Sequence, residues 1–239
     1  MKVIAVIPAR LQSERLPRKM LREIAGRPLP VLVYQAVRSS PLLDQVIIAT
    51  DSEEILASCR AHACDVRLTS AAHRSGTERV QEIAQSVEAD IYLNVQGDEP
   101  MIRPAHIEVL LKLFEDSAVQ VGTLKTKASP EDIRNPNAVK VVSDREGRAL
   151  YFSRSTIPFD RDRSEPCYFK HLGTYAYRRP ALDRFVALPE SSLERVERLE
   201  QLRFLENGIS VYTAETLYDT IGVDTEEDLA RVAGLLSGN

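Results

Sequence analysis

Short, continuous apolar runs alternate with stretches of helical periodicity through the first half of this chain. That alternation limits the fold more than any single motif. Residues 2–7, 45–50 and 91–95 are β-prone and mostly apolar, as strands buried on both faces read. Residues 65–68 read as a further short strand, and the first strand is expected to stop at Pro8. Between these runs, residues 31–38, 53–62 and 78–87 have helical spacing, and residues 104–114 follow as another helix. Pro28 and Pro30 are tolerated only in a first helical turn, where backbone N–H groups lack intrahelical partners, and Ser52 suits an N-cap. A β-α-β-α order of this kind implies a parallel sheet with right-handed crossovers, a Rossmann-like α/β architecture.

The rhythm changes after Val119. Residues 119–124, 139–143 and 150–153 read as closely spaced strands, with Asp144-Arg145-Glu146-Gly147 as a hairpin turn, so an antiparallel addition is expected. Residues 157–169 are polar and read as a loop or extension. A strand over 172–177 follows, then helices over 180–185 and 193–207, the second ending at Gly208 as a C′ residue. A late strand over 211–214 and a helix over 225–236 close the chain. There is no internal repeat and no low-complexity linker, and 239 residues suit one large α/β domain carrying an insertion.

Composition narrows the function classes. The net charge is −4, from 31 basic and 35 acidic residues, which gives no general attraction to nucleic acid or an anionic membrane. No apolar run approaches the roughly 20 residues a membrane span requires. The N-terminal run is too short for a secretion signal and reads as the first strand. Cys59, Cys64 and Cys167 lack CxxC spacing and read as unpaired thiols in a reducing compartment, so a soluble cytoplasmic enzyme is expected.

Three segments carry candidate chemistry. The run Ile91-Tyr92-Leu93-Asn94-Val95-Gln96-Gly97-Asp98-Glu99-Pro100 ends a strand with two carboxylates. Ligands of open parallel sheets sit beyond the carboxyl ends of strands, where an acid can hold a hard cation or bond a ribose hydroxyl. Gly-Asp and Pro are also ordinary turn chemistry. The loop after the first strand places Arg10, Arg15, Arg18 and Lys19 within ten positions. Those cations suit a polyanion, Arg through forked donors and Lys as a mobile point charge; solvated surface loops carry such charge too. The loop is neither a Walker A motif nor GxGxxG, so its side chains would have to do the binding. His73-Arg74-Ser75-Gly76-Thr77-Glu78-Arg79 either presents backbone groups to a base or phosphate, or simply caps a helix. In Gly222-Val223-Asp224-Thr225, Asp224 is either a helix cap or a second carboxylate that the fold brings to Asp98. A pair of carboxylates plus substrate phosphates is what Mg²⁺ typically takes.

These segments in this order resemble the sugar-acid cytidylyltransferases, most closely the 3-deoxy-manno-octulosonate (Kdo) cytidylyltransferase family. The resemblance rests on Ile7-Pro8-Ala9-Arg10, Ser13, Arg15-Leu16-Pro17, Ala49-Thr50-Asp51, Ser75-Gly76-Thr77-Glu78-Arg79 and the 94–100 run. It continues through Asn135-Pro136-Asn137-Ala138-Val139-Lys140, Tyr151-Phe152-Ser153-Arg154, His171-Leu172-Gly173, Tyr175, Leu199-Glu200-Gln201-Leu202-Arg203 and Gly222-Val223-Asp224-Thr225. It implies the nucleotide-diphospho-sugar transferase fold, a mixed sheet flanked by helices with a small antiparallel insertion, and a homodimer. It also implies Mg²⁺-dependent transfer of CMP from CTP to Kdo, for lipopolysaccharide or capsule synthesis. The whole of residues 1–239 then forms one cytidylyltransferase domain: a nucleotide-binding half over 1–118, a sugar-acid and dimerisation half over 119–214, and a metal-ligand loop with closing helix over 215–239. Arg10, Ser13, Arg15, Lys19, Arg74, Ser75, Gly76 and Thr77 are the implied CTP contacts. Asp98 and Asp224 are the implied metal ligands, and Lys19, Arg10 and Asp98 the implied catalytic set. Gln96, Arg154, Arg161, His171, Tyr175, Glu200 and Gln201 are the implied sugar-acid side.

One departure touches the candidate site. The family usually reads Arg-Leu-Pro-Gly-Lys-Pro-Leu where this chain has Arg15-Leu16-Pro17-Arg18-Lys19-Met20-Leu21. Without the Gly, easy access to positive φ is lost, and without the Pro the turn loosens. Arg18 either adds a phosphate cation or reshapes the loop. Alternatives to Kdo transfer are the same reaction on 8-amino-Kdo or another sugar acid, or a weakly active nucleotide-binding homologue with a regulatory role.

Overall fold

The computed structural model describes residues 1–13 and 15–238, in two compact units: residues 1–107 with 220–238, and residues 108–219. In the first unit, strand β1 (Val3–Ala9) is followed by a basic loop and a 3-10 turn at Lys19–Leu21. A two-residue ladder, β2 (Glu23–Ile24) with β3 (Arg27–Pro28), then leads into α1 (Leu29–Arg38), whose first turn takes the prolines as expected. Next come β4 (Gln45–Thr50), α2 (Glu53–Ala61), β5 (Val66–Leu68), α3 (Gly76–Ser86) and β6 (Ile91–Asn94), and α4 (Pro104–Lys112) begins in this unit and runs on past its boundary at residue 107. The strands pair in the order β5-β4-β1-β6, all parallel, the doubly covered sheet the apolar runs called for. Burial agrees: Ile4, Ala5, Val6, Ile7, Ile47 and Ile48 are all fully buried.

Strand β1 does not stop at Pro8 but runs to Ala9. Its pairing with β6 ends at Val6 opposite Asn94, while its pairing with β4 continues through Pro8. The missing N–H of Pro8 therefore interrupts no ladder on the β6 side, the situation in which a strand tolerates proline.

The second unit holds β7 (Val121–Lys127), α5 (Pro130–Arg134), β8 (Lys140–Ser143), β9 (Ala149–Ser153), β10 (Phe169–Arg178), α6 (Arg179–Ala187), α7 (Ser192–Glu197), α8 (Leu202–Glu206) and β11 (Tyr212–Glu215). Strand β7 lies between antiparallel β10 and parallel β11, and β8 joins β10 to β9 through antiparallel pairs. The antiparallel addition is present, and Gly147 at φ 83° closes its hairpin. Helix α5, capped by Ser129, is an element the sequence reading did not anticipate.

The helix expected over residues 193–207 is two helices. Arg198 breaks it with φ 55°, and Glu200 and Gln201 fall in the break. The cause is a buried ion pair: Arg203 Nε and a terminal guanidinium nitrogen donate to Glu194 at 2.8 and 2.6 Å. Residues nine apart on one continuous helix would point to opposite faces. The chain must turn at Arg198 for them to meet.

Helix α9 (Glu226–Leu236) returns to the first unit. Thr225 caps it in a capping box with Asp228, which leaves Asp224 outside the helix.

Candidate active site

An apolar cluster assembles the charged centre of the first unit. Leu16 of the basic loop and Val223 are both buried with Ile24, Leu29, Leu32 and Val232. Each stands next to a charged residue, Leu16 after Arg15 and Val223 before Asp224. Burying the two apolar neighbours carries Arg15 to Asp224, and their side chains pair at 2.8 Å. Asp98 is brought in by backbone: Val223 N–H donates to the Asp98 carbonyl at 2.9 Å. Arg22 pairs with Glu226 at 2.6 Å, a further tie between the basic-loop side and the start of α9.

Lys19 lies at the focus. It is buried, and its ammonium donates to Asp224 Oδ1 at 2.9 Å and to Asp98 Oδ2 in a short ion pair. Burial alone would lower its pKa, but the two carboxylates more than offset that and hold it above the usual lysine value. Asp98 and Asp224, 126 positions apart in the chain, are thus gathered on one cation. Among the described residues no group of three acidic, histidine or cysteine side chains could hold a metal ion, whereas this pair of acids suits a cation that takes further oxygens from phosphates.

The loop departure is accommodated rather than disruptive. Arg18 takes the left-handed conformation itself, at φ 56° and ψ 34°, a conformation costing roughly 1–2 kcal/mol for a residue with a Cβ. Its guanidinium pairs with Glu54 of α2. Met20 is buried, and a Cβ added to Gly97 would lie 3.2 Å from its sulfur and 2.8 Å from the Pro8 carbonyl oxygen. Gly97 is therefore a close-approach glycine, and Met20 fills the space beneath the Asp98 loop. Arg10 and Ser13 line a concavity of about 480 Å³ with Leu11, Gln12, Pro17 and Arg18.

A second tie went unread in the sequence. Arg79, almost fully buried on α3, donates to Asp51 at 2.9 Å and to Thr69, and the other Asp51 oxygen accepts from Leu11 N–H at 3.2 Å. The signal was an arginine on the apolar face of α3, beside Val80 and Ile83. Nearby, Ser75 caps α3 by accepting from Glu78 N–H at 3.3 Å; Arg74 is exposed, Gly76 half-buried and Thr77 fully buried. Gln96 is half-buried and donates to Asn94 Oδ1 at 3.4 Å.

In the second unit, β10 holds His171 and Tyr175 with their rings 5.4 Å apart. Burial pushes the His171 pKa down to about 3 and raises that of Tyr175, with Tyr177 and Glu200 adding to the latter. His171 Nε2 lies 3.0 Å from the Thr123 hydroxyl, whose single hydrogen has the Leu172 and Thr174 carbonyls to donate to. The ring nitrogen is then the donor, and the imidazole is neutral. Arg154 donates to the carbonyls of Glu197, Pro136 and Arg198 at 2.7, 3.1 and 3.4 Å, so its guanidinium is held in place by backbone. Gln201 is buried, Glu200 half-buried, and Arg161 exposed on its loop. Cys59 and Cys64 are free and buried, with burial raising their thiols to about 12 and about 11, so neither supplies a thiolate at neutral pH.

His171 makes stability depend on pH. Its folded pKa lies below its ordinary 6.5, so between about 3 and 6.5 the unfolded chain binds the extra proton. Its contribution is fully present above pH 6.5 and is lost as pH falls toward 3, by a few kcal/mol in all. Urea unfolding should show a stability loss between pH 7 and 4 that is smaller in His171→Asn. An identical slope in both proteins would mean that His171 is not buried as a neutral ring.

The cytidylyltransferase family model matches residues 4–216. A 3-deoxy-manno-octulosonate cytidylyltransferase of Koribacter versatilis is 65% identical over 236 residues, covering 98% of this chain and 90% of that protein. One from Acidobacterium capsulatum is 57% identical over 237 residues, covering 99% and 97%. The solved structure of a CMP:2-keto-3-deoxy-manno-octonic acid synthetase complexed with CTP matches with a TM-score of 0.95 at 42% identity, covering 100% of this chain and 99% of that one. The chain belongs to the cytidylyltransferase family, and within it to the 3-deoxy-manno-octulosonate cytidylyltransferases. It is a nucleotidyltransferase with the mixed α/β fold expected of that family.

Proposed function

We infer that this protein transfers CMP from CTP to the anomeric hydroxyl of 3-deoxy-D-manno-octulosonate, releasing pyrophosphate. The observation that carries the reading is the convergence of Asp98 and Asp224 with two basic-loop cations, Arg15 and Lys19. Transfer to the α-phosphate builds negative charge on its oxygens and on the departing pyrophosphate, and preorganised cations are the main way to stabilise it. Arg10, Arg15 and Lys19 would meet the triphosphate, with Ser13 beside them in the loop. Arg74, Ser75, Gly76 and Thr77, at the start of α3, offer exposed and backbone donors to cytosine.

Asp98 and Asp224 would hold Mg²⁺, consistent with a two-carboxylate donor set completed by substrate phosphates. When bound, that ion supplies Lewis-acid stabilisation of phosphate charge and lowers the pKa of a coordinated hydroxyl. On the acceptor side, Arg161 and the braced Arg154 suit the sugar carboxylate. Gln96, Tyr175, Glu200 and Gln201 suit its hydroxyls, and the neutral His171 acts as a hydrogen-bonding group rather than a charge. Cytoplasmic localisation, a role in lipopolysaccharide or capsule synthesis, and a homodimer belong to the same reading.

The test is pyrophosphate release from CTP with Mg²⁺, run with Kdo, 8-amino-Kdo and N-acetylneuraminate in parallel. Turnover is expected with Kdo. Turnover with 8-amino-Kdo alone would move the acceptor, and turnover with none would leave the regulatory homologue as the better reading.

A further inference from the structure

The charged centre of the first unit is closed on itself. Both oxygens of Asp224 are engaged, Oδ1 by Lys19 at 2.9 Å and Oδ2 by Arg15 at 2.8 Å, and Asp98 Oδ2 is engaged by Lys19. Under the proposed function these same carboxylates receive the divalent cation and these same side chains receive the triphosphate. One ammonium between two carboxylates lies where a cation ligated by both would sit, so Lys19 and such a cation compete for the pair.

We propose that Lys19, assisted by Arg15, is an internal counter-ion that occupies the carboxylates until nucleotide arrives, so that divalent cation and triphosphate bind with positive coupling. The inference rests on reading Asp98 and Asp224 as cation-binding carboxylates. Two half-buried carboxylates facing each other without a counter-charge would be strongly unfavourable, and Lys19 removes that repulsion in the nucleotide-free protein. A lysine suits the task because its compact charge sits on a flexible four-carbon stem and can swing without moving the backbone. Phosphates that draw Lys19 and Arg15 away leave an anionic pair open to the cation. A cation on that pair frees both side chains for phosphate, and the two effects are equal by linkage. The 3-10 turn at Lys19–Leu21 anchors the stem through the buried Met20, so the head group moves while its root stays.

The experiment uses Mn²⁺ alone, without nucleotide, with binding followed by loss of the free-ion electron paramagnetic resonance signal. Wild type should bind weakly. Lys19→Met should bind about tenfold tighter, within the range usual for coupled sites. Arg15→Gln should tighten binding by a smaller factor, and adding Asp98→Asn to Lys19→Met should abolish the gain. Equal or weaker Mn²⁺ binding in Lys19→Met, with wild-type binding still lost in Asp98→Asn, overturns the counter-ion and leaves the metal assignment standing. Mn²⁺ binding that ignores Asp98→Asn in every background overturns both. If Lys19→Met does not fold, Arg15→Gln decides alone, because Arg15 is largely exposed and its removal disturbs no core. Tighter binding then supports the proposal, and unchanged binding overturns it.

Discussion

Replacing Asp98 by Asn should reduce kcat/KM for CMP transfer by about a thousandfold or more, equivalent to roughly 4 kcal/mol of transition-state stabilisation. The substitution keeps the shape of the side chain and removes its charge. On the proposed reading, that charge is half of the carboxylate pair on which the cation and Lys19 both depend. The fold should survive, for a specific reason. The backbone carbonyl of Asp98, not its side chain, accepts the hydrogen bond from Val223 that joins the two acid-bearing loops. Lys19 also keeps Asp224 as a partner at 2.9 Å. Far-ultraviolet circular dichroism and the urea midpoint should therefore stay near wild type while turnover collapses. Near-normal turnover would remove Asp98 from the reaction centre. A large loss of stability would show that the charge has a structural role the geometry does not assign to it.

Much of the first unit was readable because its signals are local. Continuous apolar runs marked three of the four parallel strands, the short 65–68 segment marked the fourth, and Ser52, Pro28 and Pro30 marked helix starts that the structure keeps. The acids at strand and loop ends could be named as candidates from residue type alone. What no local pattern records is which of them meet. Leu16 and Val223 lie at opposite ends of the chain, and only their common burial brings Arg15 to Asp224. The loop departure was misleading for a related reason. Arg18 has poor access to positive φ by intrinsic preference, yet it is held at φ 56° by a pair with Glu54 and by the packing of Leu16 and Met20 on either side. Tertiary contacts outweighed a local penalty of about 1–2 kcal/mol. The same override shaped the second unit. Residues 193–207 are strong helix formers without a Gly or Pro, so periodicity predicts one helix, and a long-range pair divides it.

That pair carries a large expected stability effect. Glu194 and Arg203 have side chains only 10% and 8% exposed, and they meet through two parallel hydrogen bonds. The Arg203 guanidinium also lies 4.2 Å over the Phe185 ring. Two charges withdrawn this far from water are stable only together, and removing one partner of a buried pair costs about 3–5 kcal/mol. Glu194→Ala should therefore lower the unfolding free energy by about that amount. Part of the loss would come from the α7 capping box, in which Glu194 accepts from Ser191 N–H at 3.1 Å. Glu194→Leu combined with Arg203→Met removes both charges and should be much less destabilising than Glu194→Ala alone. If the double variant is as unstable as the single one, packing rather than charge pairing holds α7 to α8. The break between those helices carries Glu200 and Gln201, so on the proposed reading of these two as acceptor-side residues its geometry also bears on the acceptor. The double variant should show a raised KM for Kdo with little change in KM for CTP, because the CTP contacts proposed here lie on other loops. A rise in both by the same factor would mean that the break positions no sugar-specific group.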